Sequence, residues 1–383
     1  MPLKKHAKWL VAIVSIAGIC GISIAGICGI AYLGTTLVEH PDSAQSDSRD
    51  ALTHEHEVVP EASQAVQFDN AIKQNKFSGT VLVVKDGKPI LNQGYGKTRI
   101  RSQRDNTTAT KYPIASLTKN VTAVLAVKQL EAKGYSPETK VSTFYPNLPN
   151  AENITIRQLI TMNAKYDTSK FVPKRLGDEK VYIDEILKHT YYNHTKTTWH
   201  YNATDYHILI GILHKVTGKS YEQLVKETFG PQYELQTLPG YANNLAKPLG
   251  STVEGVNIPF NKSEYQKELG TGDIFTNTWG IYQLLESEIK AKIVTPQQFK
   301  AVSTPMSQYH EIYSGGLYSE DRGRAYFCRG VMQGFEDYVY MSKDGRNAVI
   351  LQSNQYSVTG KNANLAKYIY GKVVGHEVVF KNY

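Results

Sequence analysis

The sequence predicts a mixed α/β (α+β) fold. An antiparallel sheet is built from both ends of the globular part and flanked by helices, a large helical insertion lies between the two sets of strands, and an N-terminal transmembrane helix precedes them. Three observations carry this expectation. A hairpin signal opens the globular part, helical periodicities fill its middle, and alternating strands with one closing helix end it. The chain of 383 residues is long enough for a large buried core, and 41% hydrophobic with 20% charged residues is a globular composition.

The first element is "MPLKKHAKWLVAIVSIAGICGISIAGICGIAYLG". Lys4, Lys5 and Lys8 precede an uncharged, mainly apolar run from Trp9 to Val38, which is long enough to cross a bilayer. The lysines are expected on the cytoplasmic side and everything after residue 38 outside, which gives a single-pass cell-membrane protein with an extracellular domain. A cleaved signal ending at Ala31 is the alternative. The octapeptide "SIAGICGI" occurs twice and sets Ala17, Gly21, Ala25 and Gly29 four apart. Such a small-residue stripe permits self-association in a membrane. Residues 39–65 are polar and read as an extracellular linker; its His40, His54 and His56 fit a solvated linker better than a metal site. The exported part holds one cysteine, Cys328, so it has no internal disulfide.

Residues 66–383 read as the globular domain. "FSGTVLVVKDGKPILNQGYGKT" is a hairpin turning at Asp86-Gly87. "NVTAVLAVKQLEAKGY" is a buried helix with a Gly stop, and "ITIRQLITMNA" is a short helix. "YHILIGILHKVTGKSYEQLVKETF" gives two helices around Gly218, and "TWGIYQLLESEIKA" gives another. "AYFCRGVMQGFEDYVYMSKDGRNAVILQSN" is a β-meander, and "LAKYIYGKVV" closes the fold as a helix.

Within "YPIASLTKN", Ser116 and Lys119 stand three apart at the start of the buried helix. Residues at that spacing share a helix face. Two readings stay open on spacing alone: a nucleophile with its base one turn away, or a helix cap followed by a surface lysine. A serine hydroxyl needs a neighbour to take its proton, and a lysine serves only when burial or nearby positive charge favours its neutral form. The free N–H groups at a helix start favour developing negative charge.

From Phe77 to Asn354 the order of segments resembles the serine β-lactamase and penicillin-binding-protein superfamily, in its class C β-lactamase-like and D,D-carboxypeptidase-like branch. The stretches that carry the likeness are "YPIASLTKN", "ITIRQLIT", "WHYNATDYHILIGIL", "GTGDIFTNTWGIYQLL" and the final meander. The resemblance implies an enzyme with Ser116 as nucleophile, Lys119 as its base and Tyr201 as the tyrosine that relays a proton to the leaving group. It implies oxyanion donors at the Ser116 and Val331 backbone N–H groups, and no metal or organic cofactor.

Two positions depart from the family pattern. The asparagine expected two residues after the tyrosine is Ala203, and Asn202 stands one place early. The basic residue of the third motif is replaced in Cys328-Arg329-Gly330, where Gly330 is kept and Arg329 is expected on the far face of its strand. Cys328 reads as a packed side chain rather than a reactive thiol. The positions the family uses to grip a substrate amide and carboxylate are thus altered.

A D-alanyl ester needs neither grip, and the chain resembles the related cell-surface esterases that remove D-alanine from teichoic acids; that resemblance implies D-alanylated (lipo)teichoic acid as the favoured substrate. The alternatives are a D,D-carboxypeptidase acting on peptidoglycan and a non-catalytic cell-wall polymer binder. The net charge of +8 suits an anionic partner, and no basic run with interleaved aromatics points to nucleic acid.

Overall fold

The computed structural model describes residues 56–169, 178–252, 255–306 and 312–380. The expected membrane segment, its small-residue stripe, His40 and His54 lie outside them. Among the described residues no helix is long and apolar enough to cross a membrane.

The strands in chain order are β1 (Gly79–Lys85), β2 (Lys88–Tyr95), β3 (Tyr112–Pro113), β4 (Tyr166–Thr168), β5 (Thr190–Tyr192), β6 (Gln236–Thr237), β7 (Ile274–Thr276), β8 (Tyr313–Ser314), β9 (Leu317–Glu320), β10 (Ala325–Met332), β11 (Phe335–Ser342) and β12 (Ala348–Ser353). The main sheet runs β2-β1-β12-β11-β10-β9-β8, with every neighbouring pair antiparallel. Both ends of the domain therefore meet at its centre, where Gly79 faces Ser353 and Leu82 faces Ile350. The β1–β2 turn places Asp86 at φ 52° and Gly87 at φ 80°, the left-handed pair that a two-residue hairpin requires.

The longer helices are α1 (Ser63–Gln74), α2 (Thr118–Glu131), α3 (Glu179–His189), α4 (Thr204–Thr217), α5 (Thr278–Ile289) and α6 (Lys361–Val374). They make a three-layer molecule because side chains alternate across the sheet. Val81, Val83, Tyr338, Tyr340 and Leu351 pack against Phe68 and Ile72 of α1 and Ile369 and Tyr370 of α6. Leu82, Val84, Cys328, Val339 and Ile350 face the helical middle. Helix α2 is buried at every residue from Thr118 to Val127, the polar Lys119, Asn120 and Thr122 included, which places it at the centre of the domain.

The expected hairpin, meander and helices are present at their places. Three features differ. Residues expected as linker join the fold: Val58 bridges Asn92 at the β2 edge, and His56 stacks on Trp279. Helix α1 was not legible because its apolar stripe is only Ala65, Phe68 and Ile72 in a polar run. Two small sheets, β3-β7-β6 and β4-β5, are formed from strands of two or three residues, too short for any periodicity to show.

Candidate active site

The turn that carries Ser116 is built under constraint. Residues Ala115–Leu117 form a 3-10 turn that runs into α2, and Ala115 sits at φ 41°, a left-handed conformation that costs a residue with a side chain. The turn is pinned from one side by Ile114 N donating to Ile274 O at 2.9 Å. From the other side β10 presses against it. A Cβ on Gly330 would lie 2.6 Å from Ile114 O and 3.2 Å from the Ala115 Cβ, so only glycine permits this approach.

Three side chains then converge on one oxygen. Ser116 is partly exposed, and one turn along Lys119 is buried at 3% exposure. The Lys119 Nζ lies 3.4 Å from Ser116 Oγ and donates to Thr271 O at 3.0 Å. Tyr201 Oη donates to Ser116 Oγ at 2.9 Å. Lys119 Nζ also sits 5.0 Å from the Tyr201 ring centroid, within cation–π range.

Tyr201 is held by an aromatic wall that sequence reading did not include. Trp199 and Tyr313 meet its ring edge-on at 6.2 Å and 5.8 Å, and Trp199 Nε1 donates to Thr161 O at 2.9 Å. Tyr313 Oη donates to Tyr206 Oη at 3.2 Å, and Tyr206 Oη donates to Ile160 O at 2.9 Å. Burial pushes the Tyr206 and Tyr313 phenols far up, so both stay neutral. Trp199 had a signal, lying two residues before Tyr201. Tyr313 and the Thr271 carbonyl had none.

The other expected site residues separate. Gly330 and Val331 lie beside the nucleophile turn, where β10 has lost its β9 neighbour: the β9 pairing covers only Ala325–Phe327, so Cys328–Met332 pair with β11 alone. Cys328 is 2% exposed, and burial pushes its thiol up to about 12. Arg329 is on the opposite face, where it pairs with Glu336 at 2.8 Å; Glu336 also accepts from Asn362 of α6. Asn202 turns back on its own chain, with Oδ1 accepting from Asp205 N at 3.0 Å, and so caps α4 instead of addressing Ser116. Ala203 offers no polar group.

Burial sets the electrostatics around this cluster. His207 is pushed down to about 3 by burial and then by the charge of Lys119, so it is a neutral neighbour. Asp273 and Asp337 are both held well above the ordinary carboxylate range by burial. A cavity of about 760 Å³ between Tyr182, Gly211, Lys215 and Asp273 lies in the helical middle, and none of Ser116, Lys119 and Tyr201 lines it. The three converging side chains sit instead beside the part of β10 that pairs with β11 alone, where Gly330 packs against the turn that carries Ser116. That arrangement suits nucleophilic acyl transfer.

Comparison with known proteins agrees. The Beta-lactamase family matches residues 63–369, and the chain belongs to that family of serine hydrolases. It is 26% identical over 344 residues to PbpX of Bacillus subtilis, named as a penicillin-binding protein, covering 84% of this chain and 81% of the relative. Among solved structures it is similar to FmtA from Staphylococcus aureus, with a TM-score of 0.73 at 19% identity over 88% of this chain and 98% of the other. It is also similar to D-amino acid amidase from Ochrobactrum anthropi, with a TM-score of 0.65 at 15% identity over 81% and 98% of the two chains.

Proposed function

We propose that this serine hydrolase removes D-alanyl groups held in ester linkage on a cell-envelope polymer, with (lipo)teichoic acid as the favoured substrate. In this reading it acts outside the cell from a membrane anchor over residues 1–38. The observation that carries the proposal is a mismatch within the site. Ser116, Lys119 and Tyr201 share one oxygen, while Cys328 is buried and apolar in behaviour, Arg329 faces away and Asn202 caps a helix. The reacting groups are together, and the positions that would hold a terminal carboxylate and an amide carry no free polar group for them. An ester of a polyol offers neither group and leaves more readily than an amide. The name of the D-amino acid amidase of similar fold supports a D-configured acyl group in such a cleft.

The proposed steps assign one role to each of these groups. Ser116 Oγ attacks the D-alanyl carbonyl, and Lys119, which must be neutral to do so, accepts the serine proton. The carbonyl oxygen gathers charge beside the Ser116 and Val331 N–H groups. Tyr201 gives a proton to the departing alcohol, and water then releases D-alanine from Ser116. A D,D-carboxypeptidase is the second reading, supported by the name of PbpX.

The test is to quench the protein with acid during turnover of a D-alanyl ester and map the adduct by peptide mass spectrometry. A D-alanyl group on the peptide that contains Ser116 supports the mechanism. An adduct on another residue, or none under single-turnover conditions, overturns it.

A further inference from the structure

We propose that one end of the main sheet carries a second working surface, a basic and aliphatic face that docks on an anionic phospholipid bilayer. Its first part is the closed loop 97–105. Thr98 N donates to Arg104 O at 3.0 Å, Ser102 N donates to Arg99 O at 3.1 Å, and Lys97 pairs with Asp105 at 2.8 Å. This frame displays Arg99, Arg101 and Arg104, all exposed. A second loop is tied to it: Leu249 N donates to Thr98 O at 2.9 Å, and Ile100 exchanges bonds with the Asn257 side chain at 2.8 and 3.2 Å. Large aliphatic side chains on the two loops stand in solvent, with Ile100 37%, Val256 60% and Leu245 92% exposed.

Neither half of this pattern suffices. Single exposed aliphatics are ordinary, and arginines suit any polyanion. Together they match the chemistry of a lipid interface, where aliphatic groups enter the headgroup boundary and guanidinium groups meet phosphate. A soluble polyanion would satisfy the arginines and leave Leu245 and Val256 in water, so the bilayer is the better occupant.

The face is connected to the active site through β10. Gln333, in the β10–β11 turn, exchanges hydrogen bonds with the Asn261 backbone at 3.1 and 3.0 Å, and its carbonyl would lie 2.0 Å from a Cβ on Gly250. From Gly330, beside the nucleophile turn, to Gln333 is three residues of strand, roughly 10 Å. Docking would hold the open edge of β10 near the headgroups, independently of which ester or amide is cleaved there.

The test uses the full chain in nanodiscs, so that any N-terminal anchoring is the same in every arm, and reads amide hydrogen exchange. The lipids are phosphatidylcholine alone or mixed with phosphatidylglycerol, and a further arm adds soluble poly(glycerol phosphate) to the phosphatidylcholine discs. Exchange in 97–104 and 243–252 is expected to slow several-fold with phosphatidylglycerol and to recover in high salt. Arg99→Gln/Arg101→Gln/Arg104→Gln is expected to lose this protection, and Leu245→Ser to reduce it, with exchange in β1 and β12 unchanged. Equal exchange in both lipids overturns the proposal. Equal protection by the soluble polymer also overturns it and makes the loop a polyanion site.

Discussion

Tyr201 Oη lies 2.9 Å from Ser116 Oγ, a contact between segments 85 residues apart in the chain. Lys119 reaches the same oxygen from one helical turn away. One serine thus has two proton-carrying neighbours, one able to take its proton on attack and one able to supply a proton to the leaving group. The aromatic wall of Trp199 and Tyr313 fixes the tyrosine, and the 3-10 turn fixes the serine.

Tyr201→Phe keeps the ring and its packing while removing the hydroxyl. The expected result is a fall in kcat of about 100- to 10,000-fold, the usual range for a general acid or base, with KM changed little. Steady-state kinetics on a D-alanyl ester, with thermal unfolding as the control, checks it. A kcat within about threefold of wild type would remove Tyr201 from the proton path.

Gly330→Ala adds a methyl group where backbone already stands, 2.6 Å from Ile114 O and 3.0 Å from an Asp337 carboxylate oxygen. The Ile114 oxygen is backbone and the Asp337 carboxyl is buried, so β10 or the nucleophile turn must shift. A loss of about 1–3 kcal/mol in chemical denaturation is expected, with activity falling more than stability explains. Unaltered activity would mean that the approach of β10 to Ser116 is not needed.

Cys328 should behave as core. Burial pushes its thiol up to about 12, so the native protein at neutral pH should resist a thiol reagent that labels the unfolded chain at once. Cys328→Ala should cost about 1 kcal/mol of stability and leave ester hydrolysis intact. Rapid native labelling of the peptide containing Cys328, or lost activity in the alanine variant, would give this side chain a part in the site.

The fully buried Glu288 makes folding pH-dependent in a defined direction. Its carboxyl is pushed up to about 8 by burial, against an ordinary value of 4.5, with the Asn120 hydrogen bond pulling the other way. Below 4.5 the group is protonated in both states and contributes nothing to the slope. Between the two values the unfolded chain releases the proton and the folded chain keeps it, so stability falls as pH rises through that window. Asp205, pushed up to about 8 by its own burial, acts in the same sense. Glu288→Gln should flatten the decline in Tm between about pH 5 and pH 8, and an unchanged slope would mean that Glu288 ionises freely in the native state.

Much of this site was legible because its motif residues are local. The Ser116–Lys119 spacing is a helix-face relation, and Tyr201 is marked by the helix that follows it. The alternation along β10 already implied that Cys328 and Arg329 would face opposite ways. What stayed hidden depends on distant packing. Tyr313 reaches Tyr201 only because β8 ends the sheet beside α4, and the Thr271 carbonyl meets Lys119 across 152 residues. Asn202 could not be judged from sequence, since its choice between a substrate and the start of α4 depends on backbone geometry. Helix α1 was hidden by its polar composition, because its burial comes from the sheet it covers.

The central claim is that the reacting groups serve an ester and not a carboxylate-terminated peptide. The direct measurement is free D-alanine released from D-alanylated lipoteichoic acid and, separately, from a peptide ending in D-Ala–D-Ala, by the wild-type protein and by Ser116→Ala. Release from the teichoic acid, little from the peptide, and a loss on the order of a millionfold in the variant are predicted. Release mainly from the peptide, or release that persists at the wild-type rate in Ser116→Ala, would contradict it.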